Sequence, residues 1–180
     1  REIVRTHTPG TVSDTRLLDG AERCFLAAFG VEAQGAALAW LELSTGTFEG
    51  MHCADADVLT EQLARLRPRE VLVADGWDGW QSLWPKEVAP PSATPLPPED
   101  FSPSAGEQRL KRVLGVGSLR GFGLESGEAL VGMAGALLSY AELTQQGSLH
   151  HLRAFTRRRE HDHLVIDRSS LVNLEIERSA

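Results

Sequence analysis

Ala56-Asp57-Val58-Leu59-Thr60-Glu61-Gln62-Leu63-Ala64-Arg65-Leu66-Arg67-Pro68-Arg69-Glu70-Val71-Leu72-Val73-Ala74 places two hydrophobic periods back to back. Val58, Leu59, Leu63 and Leu66 recur at helical spacing, Asp55 or Asp57 can serve as the N-cap, and Pro68 ends the run. Glu70 to Ala74 then reads as a short β-branched strand. A strand reached through a helix is the signature of a crossover onto a sheet already begun.

That sheet begins upstream. Arg23 to Val31 is a continuous apolar run with the length and aromatic content of a central strand covered on both faces. Ala37 to Leu43 repeats the character, with Leu38, Trp40 and Glu42 facing one way and Ala39, Leu41 and Leu43 the other. The turn Ser44-Thr45-Gly46-Thr47 leads into Phe48 to Cys53, so the opening is an antiparallel meander and the element order reads β-β-β-α-β. One mixed sheet is expected from about Glu22 to Gly147, holding Phe25, Trp40 and Val71 together.

Downstream, residues 77–98 carry three of the four tryptophans and most of the nine prolines. A short helix around Trp80 and an irregular crossing from Ala89 to Pro98 are expected there. Glu107 to Leu114 reads as a short helix and Gly115 to Gly123 as a glycine-rich loop. A long helix follows, capped by Ser126 with Glu128 in its first turn, and its apolar stripe runs through Leu130, Met133, Ala134, Leu137, Leu138, Ala141 and Leu143 to a stop near Gly147. Its small residues Gly132, Ala134, Gly135 and Ala136 permit close approach to a sheet or to another helix, with the sheet as the expected partner. His150 to Glu160 looks extended, Leu164 to Asp167 strand-like, and Ser169 or Ser170 opens a final amphipathic helix through Leu171, Leu174 and Ile176. The strand-like Ile3-Val4 and that last helix read as parts of neighbouring domains, so residues 1–20 and 153–180 are expected to pack less well than the middle.

Composition narrows the classes. At 180 residues with 42% hydrophobic and 24% charged side chains, the chain suits one sizeable core. No apolar run reaches the roughly 20 residues of a membrane span, and Arg1 to Arg5 has no signal-like apolar block behind it, so the cytoplasm is the expected compartment. Cys24 and Cys53 lie in apolar strand-like stretches and read as buried reduced thiols. A net charge of −7 argues against a domain devoted to gripping a phosphate backbone.

Chemical motifs are sparse. Lys86 follows Pro85 and Lys111 follows Leu110, so neither completes a P-loop, and the glycines from Gly115 to Gly123 lack the strand-to-helix setting of a phosphate cradle. His150, His151, His161 and His163 have no second ligand motif beside them and read as solvated rather than metal-binding. Arg157-Arg158-Arg159, offset by Glu160 and Asp162, reads as a solvated or domain-facing stretch. No Gly-x-Ser-x-Gly elbow occurs. The element order is also that of ribonuclease H-like folds, whose hydrolases hold two metal ions on clustered carboxylates. Here Asp75, at the end of the fourth strand, has only Glu42 as a possible companion, so such a nuclease stands as the alternative reading.

Several stretches taken together resemble the DNA mismatch-repair protein family MutS. They are Ile3 to Thr11 with Thr8-Pro9-Gly10-Thr11, Leu38 to Phe48 with Ser44-Thr45-Gly46, Leu66 to Leu72, Tyr140 to Gln146, and Asp167-Arg168-Ser169-Ser170-Leu171-Val172-Asn173-Leu174-Glu175-Ile176. The match follows the whole chain in order. It implies a tail of the mismatch-recognition domain at 1–20, a ribonuclease H-like connector at 21–152, and a linker with the start of the lever domain at 153–180. The family's Phe-x-Glu wedge and Walker lysine are absent, so mismatch reading and ATP hydrolysis are carried over to no residue. No catalytic, cofactor or metal residue is assigned; ATP and Mg belong to the full-length family protein, a DNA-dependent ATPase. The resemblance implies a module that couples mismatch binding to the ATPase, contacts neighbouring MutS domains, meets mismatched DNA only through the full-length dimer, and offers a docking surface for MutL. A weak nucleic-acid-binding module is a further alternative. Exposure and chemistry point to Gln108, Arg109, Lys111 and Arg112, on the short helix with Leu110, Val113 and Leu114 inward, as the MutL surface.

Overall fold

The computed structural model describes residues 24–33, 35–145, 149 and 151–159. The expected elements of the two flanks, before Cys24 and after Arg159, lie outside these residues, as do His150, His161 and His163.

The meander forms as the alternation requires. β1 (Leu26–Glu32) pairs antiparallel with β2 (Gly35–Glu42), and β2 with β3 (Thr47–Cys53). α1 (Ala56–Leu66) follows, with the Asp55 carboxylate accepting from the Val58 N–H at 2.9 Å, so Asp55 rather than Asp57 is the cap. The chain then returns as β4 (Glu70–Ala74), parallel to β1 with Leu26 opposite Glu70. Phe25, Trp40 and Val71 belong to one apolar cluster on one face of one sheet, as the pattern predicts.

One strand contradicts the reading of an irregular crossing. Ser92–Leu96 is β5, paired parallel with β4. Proline usually argues against a strand, but β5 lies at the sheet edge. The Ser92 N–H donates to Arg69 O and the Asp75 N–H to Leu96 O, so alternate residues face β4 and Pro95 falls on the unpaired side, where its missing N–H breaks no ladder bond. Among the described residues the sheet has six strands in the order β5-β4-β1-β2-β3-β6, where β6 is Thr156–Arg157, parallel to β3. Only β2 runs against the others.

Both faces are covered. Ala27 and Phe29 of β1 and Ala36, Leu38 and Trp40 of β2 meet Leu59 and Leu63 of α1 with Trp80 and Trp84, while Leu26, Ala28, Ala37, Ala39 and Leu41 meet the opposite layer. That layer is made of α2 (Pro103–Leu114) and α3 (Ala129–Gln145). α2 starts earlier than the apolar spacing suggests, because Ser102 caps it onto the Ala105 N–H at 3.3 Å and Pro103 occupies its first turn. α3 starts later than expected. Ser126 and Glu128 precede it, and Glu128 Oε1 instead accepts from the Glu125 N–H at 2.9 Å.

α3 is apolar nearly all round, and every residue from Leu130 to Leu138 is buried. One side lies on the sheet through Leu130, Ala134 and Leu137, and the other is closed by α2. The expectation that its small residues serve the sheet is corrected in part: Gly132 and Gly135 face α2 and the chain before it. A Cβ on Gly135 would overlap the Gly106 Cα, one on Gly106 the Val131 carbonyl, and one on Gly132 the Phe101 carbonyl. The helix backbones therefore touch, and no side chain larger than hydrogen fits at the crossing. Gly135→Ala and Gly106→Ala should each lower stability by about 2 kcal/mol or more in urea unfolding, while Gly117→Ala, whose Cβ meets nothing within 4 Å, should stay within about 0.5 kcal/mol.

Candidate functional site

The four predicted docking residues share α2 but do not act as one patch. Gln108 is exposed, and Arg112, one turn on, is 62% exposed and grips Glu142 of α3 through two bonds of 2.8 Å. That bidentate pairing raises the Arg112 pKa further, so its charge is constant. Lys111 Nζ lies 2.7 Å from Glu107 on the same helix. Arg109 turns away from the others: it binds the Asp100 carboxylate and, at 3.1 Å, the Asp100 carbonyl. Asp100 also accepts from Ser139 of α3 at 3.1 Å, so Arg109 closes a cross-link between α2, α3 and the turn before α2.

Lys111 borders a cleft of about 760 Å³ between α2 and the loop before α3, whose polar lining includes Glu107, Ser118, Arg120, Glu125 and Ser126. The sequence offered no sign of this cleft beyond the glycines that shape its loop. The Lys111 ammonium, then the Ser126 hydroxyl, hold the Glu107 carboxyl below its ordinary range. Ser126 thus serves α2 instead of capping α3.

On the opposite face, a groove of about 610 Å³ runs between α1 and the outer strands, floored by Phe25, Leu38 and Trp40 and walled by Arg65 and Arg158. Glu42 closes one end. It is 5% exposed, accepting from the Thr45 hydroxyl at 2.8 Å and the Cys24 N–H at 3.3 Å.

The nuclease alternative requires Glu42 and Asp75 together, and the register separates them. Leu41, Leu26 and Glu70 lie side by side, which places Glu42 at the start of β1 and β4, whereas Asp75 follows the far end of β4. Six residues of extended chain put them about 20 Å apart along the strands. Among the described residues no group of three or more His, Cys, Asp or Glu side chains is placed to hold a metal ion. Of the basic run, Arg157 lies 3.2 Å from Glu128 and Arg158 2.8 Å from Glu49, so these two charges tie elements together. Cys24 and Cys53 are buried and free of any disulfide, as expected. A second carboxylate that periodicity could not reveal is Glu70, 1% exposed, which accepts from Tyr140 at 2.6 Å and Thr94 at 2.7 Å and joins β4, β5 and α3.

Such a domain is a mixed α/β sheet covered on both faces, with ion pairs of Arg109, Arg112, Arg157 and Arg158 linking its elements. Residues 24–153 match the family described as MutS domain II, and the chain belongs to that family. It is 41% identical over 179 residues to the DNA mismatch repair protein MutS of Dinoroseobacter shibae, covering 99% of this chain and 20% of that protein. The proteins of the same name from Cereibacter sphaeroides and a Ruegeria species are 42% and 38% identical, over 98% and 99% of this chain and 19% and 20% of theirs. The chain thus spans about a fifth of the length of these relatives.

The Glu107 pairing has a pH signature. Because its folded pKa is depressed, the interaction stabilises the fold above the unfolded carboxyl's value and is lost as pH falls through the lower folded one. Carboxyl NMR should show Glu107 titrating below an unfolded-chain glutamate, and Lys111→Met should move its midpoint upward.

Proposed function

We propose that this domain is the connector of a MutS-type mismatch-repair protein, a non-catalytic module that couples mismatch binding to the ATPase and offers MutL a docking surface. The match of residues 24–153 to MutS domain II carries this reading. The strand order β5-β4-β1-β2-β3, with β2 alone reversed, supports a ribonuclease H-like class, and the distance between Glu42 and Asp75 favours a connector over a nuclease of that class. In this reading ATP and Mg²⁺ are held elsewhere in the full-length protein, DNA is met through the assembled dimer, and the work is done in the cytoplasm. No helix among the described residues is long and apolar enough to cross a membrane.

Of the four residues proposed for MutL, Gln108 and Arg112 are the most accessible, and Arg109 is a positioning residue that holds α2. Titration of the chain with the MutL N-terminal domain should give saturable binding, weakened at least tenfold by Gln108→Ala with Arg112→Ala. Equal binding by wild type and double variant would move the surface off this helix face; no binding by wild type would remove the docking role.

A further inference from the structure

The match to the family ends at residue 153, yet the fold does not. Phe155 is 3% exposed, set edge-on to Phe48 with ring centroids 5.0 Å apart. This departs from the expectation that the chain packs poorly from 153 onward. The seat is made by Gly50 of β3: a Cβ there would lie 2.9 Å from the Phe155 ring and 2.7 Å from Leu130 of α3. The Arg158 N–H donates to Gly50 O at 2.8 Å. The next two side chains straddle the edge of β3. Arg157 turns to the α3 face, where it binds the Gly123 carbonyl and Glu128, 3.2 Å away, and Arg158 turns to the α1 face, where it meets Glu49 at 2.8 Å.

Three properties describe this segment. Its strand is two residues long and, among the described residues, pairs on one side only. Its removal would leave every pairing from β5 to β3 intact. One of its contacts, from Arg157, reaches Glu128, which precedes α3 and accepts from His52 Nε2 at 3.0 Å. Loss of Arg157 would therefore alter the head of the helix whose backbone is locked to α2.

We infer that residues 153–159 form a strap that opens and closes as a unit on the β3 edge, and that its docking on Gly50 and Glu128 fixes the α3–α2 layer to the chain that follows. The coupling role rests on the connector reading above; the opening of the strap does not. The two-state element is the strap, the signal arriving through residue 159 biases it, and the response is the placement of α2 with Gln108 and Arg112.

Native-state hydrogen exchange on the 180-residue chain in low guanidinium tests the strap. The Arg158 amide should exchange at least 100-fold faster than that of Ala28 in central β1, with little dependence on denaturant, because its opening exposes little surface. An Arg158 amide with the protection and denaturant slope of Ala28 would overturn the inference. Coupling is tested in a MutS protein carrying this domain with Phe155→Ala and Arg158→Glu, by MutL binding with ATP and with ADP. The ratio of the two affinities should fall at least fivefold in the variant. An unchanged ratio would overturn the coupling, whereas wild type with no nucleotide-dependent MutL binding would sink the connector reading and, with it, the coupling, while exchange still decides the strap.

Discussion

The contact on which the rest of this domain depends is the meeting of two helix backbones at Gly106, Gly132 and Gly135. From Leu130 to Leu138 α3 is buried all round, and such a stretch is stable only when enclosed, whereas Leu143 near its end, expected in the apolar stripe, is 72% exposed. The sheet encloses one side through Leu26, Ala28, Ala39 and Leu41. α2 must enclose the other, although its own outer face is charged and its inward residues are few. Glycine at the crossing lets α2 sit directly against α3, so a thin amphipathic helix can close the layer. Each leucine of α3 that is buried fully in this way contributes on the order of 2 kcal/mol.

Polar groups then fix what the apolar contacts leave free to slide. Arg109, Asp100 and Ser139 set the position of α2 along α3, and Arg112 with Glu142 repeats the link further along the pair. Glu70 holds Tyr140 to β4 and β5. Glu128 gathers His52 and Arg157 at the other end of α3. The α2–α3 layer is thus anchored on three sides. The same pairings commit Arg109, Arg157 and Arg158 to partners within the domain.

Much of the architecture was legible because it follows from periodicity. The alternation of Leu38 and Trp40 against Ala39 and Leu41, and the helical spacing of Leu59 and Leu63 behind Asp55, each have one physical solution. β5 was hidden because Pro95 and the prolines flanking the strand are read as breakers, and only the sheet's order reveals that Pro95 faces the unpaired edge. The starts of α2 and α3 were misread for related reasons: Ser102-Pro103 lies outside the apolar spacing, and Ser126 finds a better partner in Glu107. At the candidate surface, the sequence identified donors on α2 but not their acceptors, since Asp100 and Glu142 come together with them only through tertiary packing. Phe155 was lost among charged neighbours, where a single aromatic carries no period.

The central claim is that this fold serves as a coupling module and not as a nuclease. Incubation of the chain with labelled DNA in Mg²⁺ or Mn²⁺ tests it most directly. A connector whose Glu42 and Asp75 lie at opposite ends of the sheet leaves the DNA intact in either metal. Cleavage that disappears when Glu42→Gln and Asp75→Asn are introduced would contradict it, because two-metal hydrolysis needs its carboxylates side by side.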